Sequence, residues 1–60
     1  MTIKEARKNA GLTQAEMSEL LEIPKRTIED WETCKRKPPV YVERLVIREL
    51  ERIAKEEINN

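Results

Sequence analysis

Apolar residues recur three and four positions apart along most of the chain, a spacing that predicts amphipathic helices. Thr2 and Glu5 form an S/T-x-x-E capping box, in which each side chain binds a backbone amide of the other residue, so a helix begins here. Its apolar face is predicted to consist of Ile3, Ala6 and Ala10. Gly11, the only glycine, is a suitable left-handed C-cap, and the first helix is therefore short.

A second capping box follows at once, at Thr13 and Glu16. Leu12 before the cap and Met17 after it have the spacing of a hydrophobic staple, which marks the same helix start a second time. The apolar face of this second helix is predicted to consist of Met17, Leu20 and Leu21. The helix should end at residues 21–22.

A third helix is predicted to begin at about Pro24 or Lys25, because proline fits the first turn of a helix but not its interior. Ile28 and Trp31 are three residues apart and should face the core. The helix must end before the double proline at 38–39, which favours an extended connection. Three or four residues then join the second and third helices, the length of a helix-turn-helix corner.

A fourth, longer helix is predicted over about residues 40–57, after the double proline. Its apolar positions at near-heptad spacing are Val42, Leu45, Val46, Leu50 and Ile53. Ile47 and Ala54 make this apolar arc wider than the single stripe that packing against one neighbouring helix requires. The helix is therefore a candidate dimerisation surface. Alternatively, the arc covers the core of its own subunit.

Composition excludes several classes of protein. Twelve Lys and Arg balance twelve Asp and Glu, so the chain as a whole has no electrostatic attraction to a polyanion. One cysteine and no histidine exclude an internal disulfide and a zinc site, and no apolar run approaches the roughly 18 residues of a membrane span. No nucleophile with a paired base and no Gly-rich phosphate loop is present, so we expect no enzyme, metal or cofactor.

The segment GLTQAEMSELLEIPKRTIEDWETCKRKP resembles the Cro and phage-repressor type (Xre-like) helix-turn-helix family, with the ARKNAGLTQ lead-in before it. The resemblance implies an all-α, lambda-repressor-like DNA-binding domain of four or five helices that occupies residues 1–60, with the helix-turn-helix at about 13–33. In such proteins the first motif helix crosses the DNA backbone, and the second enters the major groove.

The resemblance also implies roles for individual residues. Positions that match base-contacting positions of the family are Lys25, Arg26, Thr27 and Asp30. Positions that match phosphate contacts, or that follow the recognition helix near the backbone, are Gln14, Lys35, Arg36 and Lys37. Arg7 and Glu32 match a family pair that looks like a structural salt bridge.

Other interpretations of these residues stay open on the sequence alone. Lys25 with Glu29 and Arg26 with Asp30 are i,i+4 pairs that neutralise each other if they form ion pairs. The basic residues at 35–37 can also belong to a loop that serves only solubility. Gln14 can be an ordinary polar residue in the first turn of a helix, without a ligand. Each interpretation would remove a DNA contact.

Three residues depart from the family pattern. Glu22 and Cys34 stand where the family usually has glycine, so either can be forced into a left-handed conformation at about 1–2 kcal/mol. Pro24 replaces a frequent N-cap serine and removes a capping hydroxyl. We therefore expect a distorted turn.

The function expected from the sequence is sequence-specific binding of double-stranded DNA by a homodimeric transcriptional repressor. The expected location is the cytoplasm of a bacterium or of a phage-infected cell, with no membrane association and no small-molecule effector. The alternative is a protein-interaction module, antitoxin-like or an adaptor, that keeps the fold and has little affinity for DNA.

Overall fold

The structure, a computed structural model, describes residues 1–59 and the side chains of residues 1–56. Within these residues it contains four helices and no strand, and no fifth helix is present. The helices are α1 (Ile3–Asn9), α2 (Gln14–Leu21), α3 (Lys25–Glu32) and α4 (Val40–Asn59). None of them is both long enough and apolar enough to cross a membrane. The all-α prediction is confirmed.

Both predicted capping boxes are formed. The backbone N–H of Thr2 donates to Glu5 Oε1 at 2.8 Å, and the N–H of Glu5 donates to Thr2 Oγ1 at 3.1 Å. Thr13 and Glu16 repeat this arrangement at 2.8 and 3.1 Å. These bonds satisfy amides that have no partner inside the helix, and they fix where α1 and α2 begin.

The first three helices are each followed by a residue in the left-handed conformation. Gly11 has φ 72°, Glu22 has φ 55° and Cys34 has φ 64°. After α3, the N–H of Lys35 donates to Asp30 O at 2.9 Å and the N–H of Cys34 donates to Trp31 O at 3.4 Å, the bonding of a Schellman motif. The expected left-handed geometry at the two non-glycine positions is confirmed.

The core lies where α1 packs on both α3 and α4, with α2 packed on α3. Its buried side chains are Ile3, Ala6, Ala10, Met17, Ile28 and Leu50. Trp31 is half-buried against this cluster, as its predicted core-facing position requires. The inner face of α3 is therefore held by Ile28 and Trp31, which leaves the opposite face of the helix in solvent.

Two apolar residues do not lie where the periodicity predicts them. Leu20 is 58% exposed, because α2 turns Met17 and Leu21 inward and leaves Leu20 beyond the edge of that face. Leu45 on α4 is 60% exposed. Three of the other predicted α4 positions do face the core of their own chain: Leu50 is fully buried, and Val46 and Ile53 are half-buried against it. Val42 is half-buried but is not among the residues that pack on this core.

Candidate nucleic-acid interface

The outer face of α3 begins directly after Pro24. The φ of Pro24 is −54°, and its carbonyl accepts from the N–H of Thr27 at 2.9 Å and of Ile28 at 3.2 Å, although no side chain caps this end. Ile28 is completely buried, whereas Arg26 is exposed and Thr27 is half-buried. The first turn of α3 thus directs Arg26 away from the core.

The basic loop after α3 folds back onto the end of that helix. The carbonyl of Asp30 accepts from the N–H of Lys35 at 2.9 Å and from the N–H of Arg36 at 3.2 Å. Thr33 Oγ1 donates to Glu29 O at 2.8 Å, which adds a further bond at the same end. The backbone of Lys35 and Arg36 is consequently held against the carbonyl of Asp30, and the left-handed Cys34 allows the chain to turn back in this way.

Two shallow clefts on this face have three residues in common: Arg26, Asp30 and Lys35. The first cleft is completed by Pro24, Thr27 and Arg36, and the second by Gln14, Glu29 and Thr33. We call the residues that line the two clefts the α3 surface. It brings together most of the predicted DNA contacts, from α2, α3 and the loop.

Lys25 and Lys37 are exposed but line neither cleft. The structure therefore does not bring these two predicted contacts into the α3 surface. Glu29 and Thr33 do line it, although the sequence analysis assigned neither of them a contact with DNA. Only the helical repeat, which places residues 26, 29, 30 and 33 along one side of α3, could have indicated them.

The ion pairs that would neutralise the recognition helix are not formed. Within residues 1–56, whose side chains the structure describes, neither Lys25 with Glu29 nor Arg26 with Asp30 comes within 4.0 Å. The pairs run from base to acid along the helix, the orientation that the helix dipole disfavours. Both cations thus remain available to a ligand.

The predicted pair of Arg7 and Glu32 is present and largely buried. Arg7 Nε donates to Glu32 Oε2 at 2.7 Å and Arg7 Nη2 donates to Oε1 at 3.1 Å, with side chains only 12% and 4% exposed. Arg7 Nη1 also donates to Leu12 O at 2.8 Å. Each guanidinium nitrogen of Arg7 is therefore engaged within the fold, and the pair is structural.

Gln14 joins this ion pair, which the sequence did not predict. Its Nε2 donates to Glu32 Oε1 at 3.0 Å. Burial disfavours the charge on Glu32, but the hydrogen bonds from Arg7 and Gln14 outweigh burial and lower the pKa of the Glu32 carboxyl below its usual value. An amide nitrogen carries two hydrogens, so Gln14 retains one for another acceptor.

The described residues contain no group of three or more His, Cys, Asp or Glu side chains placed to hold a metal ion. Cys34, the one cysteine, is exposed and unpaired. The chemistry that the α3 surface offers is accordingly that of guanidinium, ammonium and amide donors with two carboxylate acceptors, Glu29 and Asp30.

A family model described as Helix-turn-helix matches residues 3–42, two thirds of the chain. The match covers α1, α2, α3, the basic loop and the first turn of α4. No curated protein and no solved structure gives a significant match.

Proposed function

The chain belongs to the Cro/C1-type helix-turn-helix family of DNA-binding regulators, and from that premise we propose that it binds double-stranded DNA sequence-specifically through the α3 surface and represses transcription as a homodimer. The proposal treats residues 1–60 as one domain. It assigns the protein to the cytoplasm of a bacterium or phage-infected cell, with no enzymatic activity, cofactor or small-molecule effector.

The observation that carries this proposal is the convergence of Arg26, Lys35 and Arg36 on one exposed face of α3 without a neutralising ion pair. An α-helix fits the major groove, which is about 12 Å wide, and its N-terminal residues then meet the base edges. In this arrangement a basic loop at the other end of the helix lies near the sugar-phosphate backbone.

Arg26 is the proposed principal base contact, because a guanidinium can donate two hydrogen bonds to a guanine edge. Asp30, one turn further along α3, can accept from a cytosine amino group, and Thr27 faces the same cleft. Lys25, at the same end of α3, is assigned a contact at the edge of the DNA interface. Base reading is thus assigned to the first half of α3 and Asp30.

Phosphate binding is assigned to Lys35, Arg36 and Lys37, which follow the recognition helix directly. Gln14 adds a donor at the N-terminus of α2, where the helix dipole favours an anion. Glu32 holds Gln14 by its other amide hydrogen, so this contact is oriented before DNA arrives.

A second copy is part of the proposal because one domain of this size covers only a half-site. The net charge is zero, so there is no overall field to raise affinity, and the few local cations must supply it. Two copies with recognition helices about 34 Å apart reach successive major grooves and double the number of contacts.

Titration of a random duplex pool by fluorescence anisotropy, at several salt concentrations, tests the proposal. With Lys35, Arg36 and Lys37 each on a phosphate, log K should fall against log salt with a slope of about −2.7 per domain. The competing function, a protein-interaction module, is favoured by Glu29 and Asp30 on the α3 surface. Absence of binding to any duplex at low salt would refute our proposal and favour that alternative.

A further inference from the structure

The side of α4 that faces away from the core is basic. At about 100° per residue, six exposed residues fall within an arc of about 100° around the helix: Tyr41, Arg44, Leu45, Arg48, Arg52 and Lys55. The buried Leu50 lies on the opposite side of α4. Glu51 lies just beyond one edge of this arc, and Glu49 and Glu56 lie beyond the other. We call the six residues the outer face of α4.

Three of the four cations on the outer face of α4 have no counter-ion. Arg52 pairs with two glutamates of its own helix, but among the side chains of residues 1–56 no carboxylate lies within 4.0 Å of Arg44, Arg48 or Lys55. Arg44 and Arg48 are four residues apart, a spacing at which like charges oppose each other on a helix. A carboxylate from outside the chain would relieve this opposition.

Two shallow clefts run along the outer face of α4 and form one groove, because both are lined by Met1, Arg48 and Glu51. The first cleft begins at Tyr41, near the start of the helix, and the second reaches Lys55. At a rise of about 1.5 Å per residue, the groove is about 21 Å long. It therefore has room for a helix of about 14 residues laid alongside α4.

The groove combines apolar surface with an excess of positive charge. Its large apolar side chains are Met1, Tyr41 and Leu45, which are 64%, 68% and 60% exposed. The four cations of the outer face line it, against two carboxylates, Glu43 and Glu51. The α-amino group of Met1 adds to the positive charge. Exposed apolar residues gathered in one groove mark an interaction site more often than single ones do.

We propose that this groove binds a helical segment of another protein, apolar on one side and acidic along its edges. Such a segment covers Met1, Tyr41 and Leu45 with its apolar side, as amphipathic helices do in the grooves of other proteins. Its carboxylates supply the counter-ions that Arg44 and Arg48 lack. A second copy of the chain fits less well, because in a two-fold contact this face would meet another of the same sign.

The groove is separate from the proposed DNA-binding surface. No residue that lines it belongs to the α3 surface. The partner helix and DNA can therefore be bound by one molecule at the same time. This inference goes beyond the proposed function and does not depend on it.

Selection from a random library of peptides of about 16 residues, with the whole chain as bait, tests the chemistry of the partner. Peptides of this length span the groove as a helix. The enriched sequences should be acidic, with apolar residues three and four positions apart. Recovery of no peptide, or of peptides without net negative charge, would overturn the proposal.

Variants then locate the binding site of the most enriched peptide, labelled for fluorescence anisotropy. Arg48→Glu should weaken binding about tenfold, because it places like charges against each other. Leu45→Ala should weaken it about fivefold, because it removes apolar contact. The controls are Lys8→Glu, an exposed cation of α1 outside both clefts, and Leu20→Ala, a leucine of α2 that is 58% exposed.

Both controls should bind within about twofold of the wild type, since surface substitutions away from a contact have small effects. All four variants should keep the wild-type circular dichroism spectrum. An equal loss in a variant and its control would place the peptide elsewhere and overturn the proposal.

A final arm separates the partner helix from the other possible occupants. A random duplex pool at low salt should leave the labelled peptide bound. Displacement by the duplex, or self-association of the chain that Arg48→Glu abolishes in sedimentation, would assign the groove to DNA or to a second copy and overturn the proposal. If no duplex binds at all, the proposed function fails, and the peptide affinities still decide this inference.

Discussion

Glu32 connects three helices through one carboxylate. It lies at the end of α3 and accepts from Arg7 on α1 and from Gln14 on α2. The identity of the ion pair follows from the family resemblance, but the bond from Gln14 does not. No local pattern links residues 18 positions apart, so only the packing of α2 against α3 reveals that contact.

The Glu32 network predicts a loss of stability in acid. Because the folded pKa of Glu32 is lowered, its contribution is fully present above the unfolded pKa, near 4.5, and disappears as the pH falls through the folded value. Glu32→Gln should cost about 3 kcal/mol at neutral pH, since it leaves Arg7 largely buried without its counter-ion. Urea denaturation at neutral pH and at about pH 3 measures both effects.

Glu19→Gln is the control, since Glu19 is an exposed carboxylate on α2. It should leave the free energy of unfolding and its dependence on pH close to the wild type, whereas Glu32→Gln should flatten that dependence. A Glu32→Gln variant as stable as the wild type at neutral pH would mean that the network does not stabilise the fold.

Cys34 adopts a conformation that suits glycine better. Its φ of 64° brings Cβ close to the backbone, and glycine has no such clash. Cys34→Gly should therefore stabilise the protein by about 1 kcal/mol, which raises Tm by about 4–8 °C in a domain of this size. Thermal unfolding followed by circular dichroism measures the change.

Cys34→Ser is the matched variant, because serine keeps the Cβ and removes only the sulfur. It should melt close to the wild type. If Cys34→Gly and Cys34→Ser have the same Tm, the left-handed conformation carries no strain that glycine relieves.

At the scale of helices, the limits of each element could be predicted because they depend on local chemistry. Thr2 and Thr13 mark their helix starts through bonds to residues three positions away, and Pro24 opens α3 through its restricted φ. It was harder to predict which apolar residues of each helix face the core. Leu20 and Leu45 fit a helical repeat, but their burial depends on which helices pack beside them.

Leu45 illustrates the physical reason. It comes one residue before Val46, which packs against the core, and one residue is a rotation of about 100° around the helix. Leu45 therefore lies off the face that packs on the core. The predicted apolar arc is consequently divided between a core-facing stripe and exposed residues at the start of α4.

The α3 surface predicts two different kinds of DNA-binding defect. Arg26→Ala should lose about 1–3 kcal/mol and relax specificity at about one or two base pairs, because it removes a contact with base edges. Lys35→Ala should weaken binding to all sequences alike and reduce the salt slope by about one, because it removes a phosphate contact. Anisotropy titrations of the enriched site and its single-base variants separate these outcomes.

Lys55→Ala controls for the loss of one positive charge, since Lys55 is exposed on α4, away from the α3 surface. Its affinity should match that of the wild type at moderate salt, where distant charges are screened. A uniform loss in Arg26→Ala would instead make Arg26 a phosphate contact.

At the scale of the whole molecule, the fold is small and its charge is balanced. Its extents are 35 × 21 × 17 Å, and the twelve basic residues are offset by twelve acidic ones. Affinity for DNA must then come from local placement and from the number of copies on one site, rather than from an overall field. In the proposed homodimer, the α3 surface of each copy would read one half-site, and the second copy would supply the other half of the contacts.

Selection of bound sites from a random duplex library tests the central claim most directly. The account predicts enrichment of a two-fold symmetric site whose half-sites are about 10 base pairs apart from centre to centre, with binding that weakens as salt rises. Recovery of no preferred sequence, together with no binding to any duplex at low salt, would contradict it.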